Sequence, residues 1–181
     1  MKHKICDQSA YNNNHGFTLI ELITVIVIIG ILAAISIPIY INIPDDAIIS
    51  DLDFIDGSLQ SANELVYGKA VIKGIQDQEF SHYNNETKAE LLINNKQVSL
   101  HFGHIQPTAW NVRTLLGLSN DDWNVIAAGG VFGPVYLVPR GAPGFDNDTI
   151  TDIINSQCYM AYGFNKKDYE TPFYQIISKG C

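Results

Sequence analysis

The chain reads as an α+β protein: a long N-terminal helix, membrane-spanning over its first half, with a C-terminal antiparallel sheet packed on its second half. Three observations predict this. From Leu22 to Ile43 no side chain ionises except the phenol of Tyr40. Apolar residues then recur with helical spacing from Ile48 to Val66. Beyond Gly74, short runs of β-branched and aromatic residues alternate with turn-forming ones.

At about 1.5 Å per residue, the uncharged segment reaches roughly 33 Å, enough to cross the hydrocarbon core of a bilayer. Lys2 and Lys4 precede it, whereas Asp45 and Asp46 follow. That asymmetry favours a cytoplasmic N-terminus and an external body. Pro38 and Pro44 lack amide donors, so the carbonyls of Ala34 and Tyr40 lose their usual partners. Two outcomes are open: mild kinks, or a stretch from Gly30 to Pro38 poised to extend when subunits pack.

After Pro44, continuous apolarity gives way to a stripe of Ile48, Leu52, Ile55, Leu59, Ala62 and Val66. Asp45, Asp51, Asp56, Gln60 and Asn63 lie largely off it. The spacing predicts an amphipathic continuation of the helix, stopping near Gly74. Gly57 and Gly68 each weaken it by about 1 kcal/mol relative to alanine. Residues 75–88 read as a loop. Glu90 to Ile93 and Gln97 to Phe102, flanking Asn94-Asn95-Lys96, read as a hairpin. A short helix is expected over Thr108 to Leu116, between Pro107 and Gly117. Strands are expected over Val135 to Val138, Gln157 to Tyr162 and Phe173 to Ser178, with Pro139 to Gly144 as a turn-rich connector.

The formal charge is −8; Lys2, Lys4 and Asp7 leave −9 on the chain beyond residue 16. An acidic body lacks the basic stripe of a nucleic-acid binder, so nucleic acid is not an expected partner. Of three cysteines, Cys158 and Cys181 lie in the segment expected outside the cytoplasm, where a disulfide is the natural pairing and two free thiols the alternative. Closing that loop would constrain the unfolded chain by about 3.4 kcal/mol.

The most informative motif is Gly16-Phe17-Thr18-Leu19-Ile20-Glu21-Leu22, running directly into the apolar segment. A carboxylate at the edge of a membrane-length helix is costly and needs a partner. A cut after Gly16 supplies one, because the new amine on Phe17 lies four residues from Glu21. One subunit's carboxylate can then neutralise its neighbour's terminus. Two rivals are a secretory signal cut near Ala34-Ile35-Ser36 and a permanent unprocessed anchor. The first is disfavoured by the length of the apolar run, which continues past Ser36. The second leaves Glu21 unexplained.

From Gly16 to about Tyr40 the chain closely resembles type IV prepilins. That resemblance implies a pilin fold with three parts: a leader, 1–16, removed by prepilin peptidase; a hydrophobic membrane and filament-core helix, 17–44; and a periplasmic or extracellular globular domain, 45–181, that includes the second half of the helix. It implies cleavage between Gly16 and Phe17 by a membrane aspartyl peptidase on the cytoplasmic side, methylation of the Phe17 amine, and Glu21 as the assembly residue. Gly30 and Pro38 match helix-breaking positions of the family, to which Pro44 adds a third break. Cys158 and Cys181 correspond in position to the disulfide around the surface-exposed loop of many pilins. Implied partners are other pilin subunits, the peptidase, an ATP-driven inner-membrane assembly machine, the inner membrane before assembly, and a surface or host receptor. The precursor would sit in the inner membrane and the assembled pilus outside the cell.

Gly57-Ser58-Leu59-Gln60-Ser61-Ala62-Asn63, Val66-Tyr67-Gly68-Lys69-Ala70, Asp121-Asp122-Trp123 and the closing Gly180-Cys181 look like pilins of the mannose-sensitive haemagglutinin type. The leader, with Asp7 and Asn12-Asn13-Asn14, departs from the short basic form of many Phe-initiated pilins. A type II secretion pseudopilin or a minor tip pilin would share the same N-terminus.

No nucleophile elbow, phosphate loop or zinc-protease motif occurs, so no enzyme, cofactor or metal site is expected. His101 and His104 are expected to face solvent at a strand end. Asp146-Asn147-Asp148 with Asp152 is expected to be a solvated acidic turn, since Ile150 and Thr151 break the calcium-loop pattern. The aromatics Tyr159, Tyr162, Phe164, Tyr169, Phe173 and Tyr174 are expected to fill a small core rather than bind a sugar.

Overall fold

A computed structural model describes residues 16–79, 89–93, 95–129 and 133–181. The first fifteen residues of the expected leader, most of the expected 75–88 loop and Asn94 of the expected hairpin turn lie outside them. The chain divides into two compact units, Met1–Ile43 and Pro44–Cys181. Helix α1 (Leu19–Lys73) contributes to both and is helical at Gly30, Pro38 and Pro44.

In the first unit, Leu19–Ile37 is long and apolar enough to cross a membrane, at about 28 Å. Its hydroxyls are met within the helix. Thr24 Oγ1 donates to the Glu21 carbonyl at 2.9 Å, and Ser36 Oγ donates to the Leu32 carbonyl at 2.8 Å. Such back-bonding removes the cost of a polar group in hydrocarbon.

In the second unit the expected stripe is the buried face of α1. Leu52, Ile55, Leu59 and Val66 are all buried, each contributing about 1.5–3 kcal/mol relative to exposure. The helix stops as the sequence predicts. Gly74 takes φ +68°, its N–H donates to the Val71 carbonyl, and the Ile75 N–H reaches the Ala70 carbonyl. That pair of bonds is a Schellman closure, which needs a left-handed residue at the turn.

The other elements form two antiparallel sheets rather than one. β1 (Glu90–Ile93), β2 (Lys96–His101) and β3 (His104–Ile105) are ordered 1-2-3. β4 (Trp123–Ala127), β5 (Val135–Pro139), β6 (Tyr159–Phe164) and β7 (Pro172–Ile177) are ordered 4-5-6-7. Helix α2 (Ala109–Leu116) carries the expected caps, Thr108 at its start and left-handed Gly117 at its end. β3 and β4 are additional to the sequence expectation. So is helix α3 (Ile150–Ser156), whose C-cap Gln157 takes φ +56° and delays the start of β6.

Three expectations are corrected. Asn63, placed off the stripe, is fully buried. Its Oδ1 accepts the Ile105 N–H at 2.8 Å, while its Nδ2 donates to the hydroxyls of Tyr174 at 2.7 Å and Tyr162 at 3.2 Å. Tyr162 in turn donates to the Ile105 carbonyl at 2.5 Å. One polar cluster thus ties α1 to strands of both sheets. Burial pushes both phenol pKa values up, so the hydroxyls stay protonated.

The histidines do not face solvent. They are register partners across the Phe102-Gly103 turn. His101 is buried, with Nε2 2.6 Å from the Tyr169 carbonyl and its ring edge-on to Phe164. His104 stacks on Tyr67 at 4.8 Å and is partly buried. The acidic turn is also partly structured. Thr149 caps α3, accepting the Asp152 N–H and bonding the Asp152 carboxylate, so that carboxylate is engaged in the helix start.

Both histidines are held below the ordinary imidazole pKa by burial, partly offset at His101 by the Tyr169 carbonyl and then by Glu79 and Glu170, and at His104 by Glu64. Folded-state values below the unfolded ones mean that the unfolded chain binds protons first as pH falls. The associated stability is therefore complete above about pH 6.5 and lost progressively below it. Urea midpoints measured at pH 7.5, 6.5 and 5.5 should fall with pH, and a double His101→Gln, His104→Gln variant should flatten that slope.

Gly57 and Gly68 are helical, and a Cβ at either meets nothing within 4 Å. Gly57→Ala and Gly68→Ala should each stabilise the chain by about 0.5–1 kcal/mol, read as a raised melting temperature.

Candidate functional site

The N-terminal segment is built around the first turn of α1. Gly16 and Phe17 precede the helix and are exposed, Phe17 at 89%, and space around the Gly16 Cα is open. This junction lies outside the helix and is reachable from solvent. Thr18 takes the cap position: its carbonyl already accepts the Leu22 N–H at 3.2 Å.

Glu21 is bound to that cap. Its Oε2 accepts from the Thr18 N–H and from Thr18 Oγ1, each at 2.9 Å, and the Glu21 N–H donates back to Thr18 Oγ1 at 3.3 Å. This is a reciprocal capping box, satisfying amide groups that a helix start leaves unpaired. The sequence expectation gave Glu21 only an intersubunit partner. The pattern Thr18-x-x-Glu21 before an apolar run was the signal for the second role. The carboxylate is exposed on the isolated chain, so a neighbour's amine can approach it.

Cys158 and Cys181 are joined in a disulfide, with Cα atoms 4.9 Å apart. Their loop holds β6 and β7. Tyr162 and Phe164 lie in its buried part, whereas Tyr169 is 40% exposed. Among the described residues, no group of three or more His, Cys, Asp or Glu is placed to hold a metal.

Residues 11–37 match the family described as the prokaryotic N-terminal methylation motif. The chain is similar to the type IV narrow pilus major component PilA5 of Thermus thermophilus, at 44% identity over 69 residues. The similarity covers 37% of this chain and 58% of that relative, so it spans less than two thirds of the relative's length. That relative is named for a narrow pilus, not for the mannose-sensitive haemagglutinin type. No solved structure matches the chain.

Proposed function

We infer that this chain is a member of the type IV pilin family and a non-enzymatic structural subunit of a pilus. The observation that carries this is the methylation motif over 11–37 leading into the apolar span Leu19–Ile37. Prepilin peptidase cuts between Gly16 and Phe17 on the cytoplasmic face, and the Phe17 amine is methylated. The precursor waits in the inner membrane with its C-terminal unit outside. The assembly machine then extracts it, and the Phe17 amine of one subunit pairs with Glu21 of its neighbour. Gly30, Pro38 and Pro44 are the positions where α1 loosens as helices pack in the filament core.

Phe54, Leu65 and Ile72 support polymerisation. They are 71%, 71% and 87% exposed on the outer side of α1, a large apolar outlay for a chain that stays alone in water. The relative's name, a major component, favours the major subunit over a tip subunit. Attachment to surfaces or host cells is the filament's proposed role.

Terminal mass analysis of subunits from sheared fibres tests the core of this. The expected N-terminus is N-methylated Phe17, and any other mature terminus would overturn it. The subunit should also dominate the fibre protein; recovery as a trace would assign it to the tip. Gly16→Glu should leave the chain unprocessed and the cell without fibres containing it.

A further inference from the structure

Helix α2 carries Trp110, Arg113 and Thr114 at i, i+3 and i+4, a single helical face, and its C-cap Gly117 follows. With Lys96 and Asn120 they line a cleft of about 460 Å³. Trp110 is 59% exposed, and the Lys96 ammonium lies 5.4 Å from its ring centroid. Across Arg113 lies a second cleft of about 450 Å³, lined by Asn120, Trp123, Asn124, Asp146 and Asp148. Arg113 and Asn120 are common to both. Either volume suits a small ligand.

Arg113 is incompletely satisfied. Its Nη2 donates to the Trp123 carbonyl at 2.9 Å, but the buried Nη1 has no hydrogen-bond partner among the described residues. Among those residues Arg140 pairs with Asp122, whereas Arg113 makes no close ion pair, although Asp146 and Asp148 line the same cleft. Burial also pushes its pKa down. Nη1 is closed off from solvent, so an incoming anion meets Arg113 through the part of its side chain that lines the clefts.

We propose that the two clefts bind a glycan ending in a carboxylated sugar, its acid group between Lys96 and Arg113 and its neutral sugars beside Trp123, Asn124, Asp146 and Asp148. A pyranose ring offers a face of C–H bonds that packs on an exposed indole, as on Trp110. Lys96 is exposed, and an ammonium on a four-carbon stem can yield the ring face and pair with the acid group. Sugar hydroxyls donate, and the carboxylates and amide oxygens of the second cleft accept. One acid group fits and a second does not, because Asp146 and Asp148 repel it. A nucleic-acid strand would bring its next phosphate to those same carboxylates.

This site gives the proposed attachment role a chemistry, and it is measured on the unpolymerised chain. Fibres that form without glycan binding would therefore sink the site alone. The full chain, held in a zwitterionic detergent without a sugar headgroup, is titrated calorimetrically with sialyllactose, lactose and a DNA oligonucleotide. The expected result is saturable sialyllactose binding with Kd below about 1 mM, and lactose at least about tenfold weaker. Trp110→Ala should weaken sialyllactose at least about tenfold with an unchanged melting temperature, because the side chain is exposed. Lys96→Gln should narrow the preference over lactose. Absence of saturation by about 10 mM, equal binding of lactose, undiminished binding by Trp110→Ala, or binding of DNA alone would each overturn the proposal.

Discussion

Asn63→Leu should destabilise the folded C-terminal unit by about 3–5 kcal/mol, the largest single-site effect expected outside the apolar core. Leucine matches asparagine in heavy-atom count and branching but is bulkier, so the loss combines missing hydrogen bonds with overpacking at a fully buried site. Three bonds disappear, and the Ile105 N–H is left buried without an acceptor. Tyr162 and Tyr174 each lose a donor to their hydroxyl oxygens. Tyr162→Phe should cost less, about 1–2 kcal/mol, because the Ile105 carbonyl loses its donor while Asn63 Nδ2 loses only the longer of its two acceptors and keeps the Tyr174 hydroxyl. The two changes should be non-additive, since they break one connected network. Urea unfolding of the two single variants and the double variant would measure this. A cost under about 1 kcal/mol for Asn63→Leu would show that water or rearrangement replaces the cluster.

Glu21→Gln should process normally yet, on the proposed pairing with a neighbour's Phe17 amine, reduce surface fibres at least about tenfold, because it removes one partner of a desolvated ion pair. The value of this variant lies in the capping box. A glutamine oxygen can still accept from the Thr18 N–H and Oγ1, so the helix start survives while the charge is gone. Glu21→Ala removes both functions. If charge pairing with the neighbouring Phe17 amine drives assembly, both variants fail alike. If capping is what matters, glutamine restores fibres and alanine does not. Fibre recovery after shearing, together with the terminal mass of the membrane-held chain, separates the outcomes. Wild-type fibre yield from Glu21→Gln would refute the pairing.

Legibility in the sequence follows the range of the interactions. The stop of α1 at Gly74 and the caps of α2 at Thr108 and Gly117 are made by residues within a few positions of each other. The capping box of Thr18 and Glu21 is equally local and was readable from its spacing. β4 carried a weaker signal, because Trp123-Asn124-Val125-Ile126-Ala127 alternates imperfectly and is fixed by pairing with β5. The histidines looked like exposed polar residues because what covers them is remote. His101 meets Tyr169, 68 positions away.

By itself the sequence determined the membrane-length helix, its processing motif, the buried stripe of α1 and the cysteine pair, because each depends on contiguous composition or fixed spacing. Only the tertiary structure decided that Asn63 is a core residue, that the strands separate into two sheets, and that Trp110 and Arg113 border paired clefts. Those outcomes depend on which distant groups meet in space. A polar side chain is stable inside only when its partners arrive there too, and no local pattern encodes their arrival.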